Sequence, residues 1–235
     1  STKNKLMTKD KITYYLPAEW EPQKAVQLTW PHAHTDWQPY LQDIVDTEVQ
    51  LARVIARYQE VLIVTQDVAE TKRHFTAEEC QRIRFVECPL NDTWARDHGF
   101  ITLLPKDGKA APQLLDFQFN GWGNKFEASK DNRINRQLVA QNAVKGEYVD
   151  YNDFVLEGGS IESDGKGTIL TTSLCLLAPN RNQPLTKQEI ERKLLNRLHA
   201  NRILWIDYGK LVGDDTDGHI DTTVRFAPDD TLLYI

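Results

Sequence analysis

Three stretches of this chain repeat one order of elements: an apolar run, an acidic, glycine-containing turn, and a second apolar run. They are "RIRFVECPLNDTWARDHGFITLL" (82–104), "YVDYNDFVLEGGSIESDGKGTILTT" (148–172) and "NRILWIDYGKLVGDDTDGHIDTTVRF" (201–226). Helical patterns precede the second and third, over Asn132–Val144 and Thr186–His199. The latter opens on a capping box, Thr186 with Glu189, ahead of Ile190, Leu194, Leu195 and Leu198. Helix, strand, polar turn and strand recurring roughly every 60 residues marks an internally repeated α/β architecture. Each copy carries its acids in the turn after the inner strand, so copies arranged around an axis would bring those acids together at its centre.

Upstream, "VQLTWP" reads as a first strand ending at Pro31. Val45, Val49, Ala52 and Ala56 keep a 4-3-4 spacing that predicts an amphipathic helix from Leu41. "VLIVT" (61–65) is short, apolar and β-branched, as a strand covered on both faces should be, and a second helix is expected over 67–79.

Charge narrows the partners. The net charge is −6, and Lys3, Lys5, Lys9 and Lys11 form the only basic cluster, in a polar tail expected over 1–11. Nucleic acid and anionic membranes are therefore disfavoured, while cationic ligands stay open. No apolar run approaches the ~20 residues of a membrane helix and no secretory segment opens the chain, so a cytoplasmic location is expected. Cys80, Cys88 and Cys175 are odd in number without C-x-x-C spacing, which predicts neither a disulfide framework nor a cysteine zinc site.

The acids crowded into "GDDTDGHID" need an offset: water, a metal ion or a cationic substrate. Aligning an EF-hand glycine on Gly218 fits Asp215 and Asp217 but puts Gly213 and Val224 at two principal ligand positions, so calcium fails. One histidine with Asp221 two residues on is too few ligands for zinc, and no metal is expected. A planar organic cation fits better. On a strand, His219 and Asp221 would point the same way, the carboxylate taking guanidinium hydrogen bonds and the imidazole moving protons. Asp97, three residues beyond Trp94, offers a carboxylate beside an aromatic face. Glu157 ends an apolar strand before Gly158 and Gly159, where a carboxylate should be hydrogen-bonded or functional. Each has a structural alternative: His219 as a turn cap, Asp221 or Asp97 paired with an arginine, Trp94 in a core.

"PAEWEPQKAVQLTWP", "NDTWARDHG", "FNGWGNKF", "VLEGGSIESDGKGTILTTSLCLLAPNRN" and "GDDTDGHIDTTVRF" together resemble the agmatine deiminase family of guanidine-modifying penteins, in order from Leu16 onward. The resemblance implies an α/β propeller of ββαβ-type units around a pseudo-fivefold axis, with about three and a half of the five present. That makes residues 1–235 a single catalytic domain cut short on its C-terminal side. It implies hydrolysis of agmatine to N-carbamoylputrescine and ammonia without a cofactor. Asp97 and Asp221 would grip the guanidinium, Glu157 would sit beside His219, and His219 would act as acid and base. Trp94 would pack along the substrate, and Asp92, Asp215 or Asp217 would meet its far ammonium. The family nucleophile is a cysteine that no residue here matches. Cys175 reads as a buried hydrophobe in an apolar strand, and Cys80 and Cys88 read as structural. The fragment alone is expected to be inactive. Deimination of arginine or peptidyl-arginine, a non-catalytic guanidine-binding or scaffold protein and a metal-dependent hydrolase are the alternatives. For recognising an α-carboxylate, Arg181 and Arg225 exist, but nothing in the sequence places them in the site. Self-association is left open.

Overall fold

A computed structural model describes residues 13–235; the polar tail expected over 1–11 lies outside the described residues. Strands β2 (Ala25–Thr29), β3 (Glu60–Thr65) and β4 (Ile83–Glu87) form an all-parallel sheet in that order. The middle strand is apolar along its length because helices and loops cover both faces, and Val61, Ile63 and Val64 are fully buried. Parallel neighbours need crossovers, here α1 (Leu41–Ile55) and α2 (Val68–Lys72). The first turns Val45, Val49 and Ala52 inward, as their spacing predicts.

The helix expected over 67–79 stops early. Asp67 caps α2 by accepting the Glu70 amide, but Thr76 and Glu79 then bond each other's amides at 2.8 and 3.2 Å. This second cap starts a separate 3-10 turn, Glu79–Gln81, and splits the expected span.

One helical turn, α3 (Ala95–His98), follows β4. Two further sheets then share one connectivity. In the first, β5 (Ile101–Pro105) runs antiparallel to β6 (Gln113–Gln118), which runs parallel to β7 (Glu147–Val155); β1 (Tyr14–Tyr15) pairs on the free side of β5. In the second, β8 (Ile161–Ser163) is antiparallel to β9 (Thr168–Thr172), which is parallel to β10 (Arg202–Ile206). The parallel steps are spanned by α4 (Gly121–Asn124) with α5 (Ile134–Ala140), and by α6 (Ser173–Leu176) with α7 (Lys187–Arg197). A hairpin of β11 (Val224–Ala227) and β12 (Thr231–Tyr234) completes the described chain. A strand–strand–helix–strand unit, the type the family resemblance implies, occurs twice in an α/β fold of four separate sheets, each open in strand order.

The helix α7 keeps the predicted capping box of Thr186 and Glu189. Its counterpart α5 is shorter than the 132–144 pattern because Asn142 turns left-handed (φ 54°) and the Ala143 amide bonds back to Leu138. Leu103, Leu115, Phe154, Ile169, Ile190 and Leu194 pack into one core that ties the two like sheets to α7. Two local expectations are corrected. "GHIDT" is no strand: Ile220–Thr222 form a 3-10 turn and β11 begins at Val224. Cys175 lies on α6, because β9 ends where the Thr172 hydroxyl caps the next turn through the Cys175 amide. No helix among the described residues is long and apolar enough to cross a membrane.

Candidate active site

Asp97 sits on α3, a single turn too short to stand alone. The turn is held by Asn135, whose side-chain amide donates to the His98 carbonyl at 3.0 Å. A buried carboxylate needs donors, and Asp97 has two: the Gly159 amide at 2.9 Å on Oδ1 and the Trp122 indole at 3.0 Å on Oδ2. Gly158 and Gly159 allow this approach. A β-carbon on Gly158 would lie 2.0 Å from the Arg96 carbonyl oxygen.

Gly159 marks the centre of the site. A β-carbon built on it would stand 2.6 Å from His219 Nδ1, 2.8 Å from Asp97 Oδ1 and 2.9 Å from Asp221 Oδ2. Residues far apart in sequence therefore meet in one small space. His219 reaches it although its segment is a 3-10 turn, because the turn replaces strand alternation as the device that brings residues 219 and 221 together. On its other side, His219 Nε2 is 3.5 Å from Glu157 Oε1, and Nδ1 is 3.7 Å from Asp97 Oδ1.

Behind Glu157 lies Arg181, which sequence reasoning left outside the site. Its side chain is fully buried and donates to Glu157 Oε1 from Nε at 2.9 Å and Nη2 at 2.7 Å. Nη1 meets Asp217 Oδ2 at 2.7 Å, and Nη2 also reaches the Thr216 carbonyl. The only sequence signal was its place in "LAPNRN". Trp122 was also missed as a site residue; it takes a left-handed φ of 58° between two glycines, a backbone no periodic pattern announces.

The remaining candidates are placed as follows. Trp94 is 47% exposed, its ring 6.2 Å from both Trp37 and Trp122, so it belongs to an aromatic wall and not to a core. Asp92 accepts the Trp37 indole at 3.2 Å and the Thr93 amide at 2.7 Å beneath that wall. Asp215 is exposed, its carbonyl receiving Lys125 Nζ, which also pairs with Asp217 at 2.8 Å. Asp221 pairs with Arg96 at 2.6 Å, so the structural alternative holds for it alongside its place at Gly159.

Charge is graded across the cluster. Burial alone would lift the Glu157 carboxyl, but His219 and Arg181 outweigh it and hold Glu157 below the ordinary range. Burial works against a charged His219, yet Glu157, Asp97 and Asp221 raise its pKa above 6.5. Asp97 is pushed up by burial, against the pull of His219, Trp122 and Gly159. The raised His219 adds stability in full below its ordinary value and loses it as pH climbs through the raised one. Glu157 does the reverse, losing its contribution as pH falls through its lowered value. In a histidine-resolved NMR titration, His219 should have a midpoint above 6.5 and Glu157→Gln should lower it. A midpoint indifferent to that substitution contradicts the pairing.

Ligand atoms of Glu157, Cys175 and His219 lie within 4.8 Å of one another, the one such group among the described residues. Arg181 already spends two donors on Glu157 there, so a dication would enter against a guanidinium. Cys175 is buried, and burial with the Glu157 carboxylate beside it drives its thiol well above the ordinary range. Cys88 is likewise lifted by burial, to about 11. Neither is a ready nucleophile.

Two carboxylates and an imidazole thus converge on Gly159. Residues 15–235 match the family described as Porphyromonas-type peptidyl-arginine deiminase. A Legionella pneumophila (strain Paris) protein named "Putative agmatine deiminase" is 36% identical over 227 residues, 94% of this chain and 63% of its own length. The chain thus spans under two thirds of that relative. Among solved structures, a C. jejuni agmatine deiminase with a cysteine-to-serine substitution and substrate bound is 36% identical, with a TM-score of 0.86 over 96% of this chain and 65% of that one. A Porphyromonas gingivalis structure named "Putative Arginine Deiminase" is 45% identical, also at TM-score 0.86, over 94% of this chain and 65% of that one. By sequence and fold alike, the chain belongs to the Porphyromonas-type peptidyl-arginine deiminase family.

Proposed function

We propose that this chain carries the guanidinium-binding and proton-transfer residues of an agmatine deiminase, whose nucleophilic cysteine lies outside residues 1–235. The observation that carries the proposal is the meeting of Asp97, Asp221 and His219 over Gly159. Two carboxylates hold the guanidinium flat and fix its central carbon for attack, replacing orientational freedom with near-attack geometry. The cysteine thiolate adds to that carbon and forms a C–S bond. His219, kept charged by Glu157, Asp97 and Asp221, gives its proton to the departing nitrogen, which leaves as ammonia. The neutral imidazole then takes a proton from water, whose oxygen adds to the same carbon. The C–S bond breaks, the thiolate returns, and N-carbamoylputrescine is released.

The cations around the site favour agmatine over arginine. Arg181 is engaged by Glu157 and Asp217, Lys125 by Asp217, Arg96 by Asp221 and Glu19, and Arg225 by Glu162 and Glu19. A substrate carboxylate would have to break one of these pairs, whereas the far ammonium of agmatine would meet Asp92 or Asp215. Trp94 lies along the aliphatic part. The two repeated units and the β11–β12 hairpin are read as consecutive blades around a pseudo-fivefold axis.

Calorimetric titration of residues 1–235 at pH 7 should show saturable agmatine binding at least about tenfold tighter than arginine, a gap of one ion pair's size. Equal or tighter arginine binding moves the reading to an arginine or peptidyl-arginine deiminase. A colorimetric ureido assay on the same chain should stay at the no-enzyme level; colour above it would place the nucleophile among Cys80, Cys88 and Cys175.

A further inference from the structure

Arg96 and Asp97 are neighbours on α3, and two carboxylates are assigned to the substrate. Asp97 is one of them. Arg96 holds the other: its Nε donates to Asp221 Oδ2 at 2.6 Å. The Asp221 oxygen so held is the one that faces Gly159. Arg96 is itself anchored at its far end, Nη2 lying 3.1 Å from Glu19 and 3.6 Å from the fully buried carboxylate of Glu162. Arg225 shares both of those acids, so two arginines and two glutamates offset one another and leave little net charge to repel a cation. The Gly158 α-carbon packs against the Arg96 backbone, which fixes where the side chain starts.

We infer that Arg96 is a positioning residue: clamped by Glu19 and Glu162, it sets the Asp221 carboxylate across Gly159 from Asp97 so that the two can share one substrate guanidinium. A carboxylate oxygen has two lone-pair directions, so Oδ2 can take Arg96 from one side and a ligand from the other while Oδ1 adds a second acceptor. Arg96 is 40% exposed on its side chain, and without it the buried Glu162 keeps Arg225 and the Phe226 amide as partners. This inference rests on the guanidinium-binding reading of Asp221.

The test uses agmatine as probe and compares the wild-type chain with Arg96→Gln and Arg96→Lys. The glutamine variant should bind agmatine about tenfold more weakly, the size expected for losing one charge-assisted hydrogen bond. Lysine, which keeps a cationic donor for Asp221, should recover most of that loss. Tighter binding by Arg96→Gln would show that Arg96 competes with the ligand, and equal losses in both variants would show that its charge is irrelevant; either overturns the inference. A crystal structure of Arg96→Gln without ligand decides the same point even if agmatine fails to bind the wild type, an outcome that counts against agmatine as the substrate and not against the positioning role. The Asp221 carboxylate should swing away from Gly159, and an unmoved carboxylate overturns the positioning role.

Discussion

Replacing Arg181 by methionine should destabilise the chain by about 3–5 kcal/mol, the usual consequence of removing one partner from a buried ion pair. Glu157 and the Arg181 side chain are both fully buried, and two of the guanidinium's donors end on one glutamate oxygen. Without them Glu157 faces only His219, at 3.5 Å, and must either stay charged without its main partner or take a proton. Protonation would also remove the main support for a charged His219, so the imidazole midpoint should fall together with stability. Asp217 suffers less, being one-third exposed and still paired with Lys125. Urea unfolding measures the first effect and NMR titration the second. The double variant Arg181→Met, Glu157→Met should recover much of the stability, since both charges leave together, without restoring the His219 midpoint. A single variant as stable as wild type would show that the pair is solvated.

Gly159→Ala should weaken agmatine binding about a hundredfold or more, as misplacement of a site by about 1 Å can. The added methyl would lie under 3 Å from His219, Asp97 and Asp221 at once, at 2.6, 2.8 and 2.9 Å. None of the three yields freely, because Asp97 is tied to Trp122, Asp221 to Arg96, and the buried His219 ring lies against Glu157. The carboxylates must spread, and the space for a guanidinium goes with them. Stability should fall by about 1–3 kcal/mol, an overpacking cost that leaves the chain folded. Titration calorimetry checks the first figure and thermal unfolding the second. Undiminished agmatine affinity in a folded Gly159→Ala would mean that ligand does not enter over this glycine.

Periodicity carried the scaffold. The 4-3 spacing of Val45, Val49 and Ala52, the apolar run Val61–Val64 in β3 and the Thr186–Glu189 cap each express a local rule that the fold leaves intact. The three like stretches marked the passages from β4 to β5, β7 to β8 and β10 to β11, because each copy must bury the same faces. Where local rules competed, the sequence misled: Thr76 and Glu79 form a cap inside what looked like one helix, and a 3-10 turn displaced the strand expected at His219. Asp97, Glu157, Asp221 and His219 were legible as types on recurring turns, though not as a geometry. Arg181 and Arg96 were not legible as partners, since they pair over separations of 24 and 125 residues through contacts that leave no periodic trace. Trp122 hid for another reason: its left-handed backbone puts an indole on Asp97 from "FNGWGNKF", a stretch without helical or strand periodicity.

The central claim is that distant acids meet to clasp a single planar cation. A crystal structure of residues 1–235 grown with agmatine tests it most directly. The guanidinium should lie over Gly159, hydrogen-bonded to both Asp97 and Asp221, with His219 at its edge. Agmatine seated elsewhere, or held there with either carboxylate turned away, would contradict it.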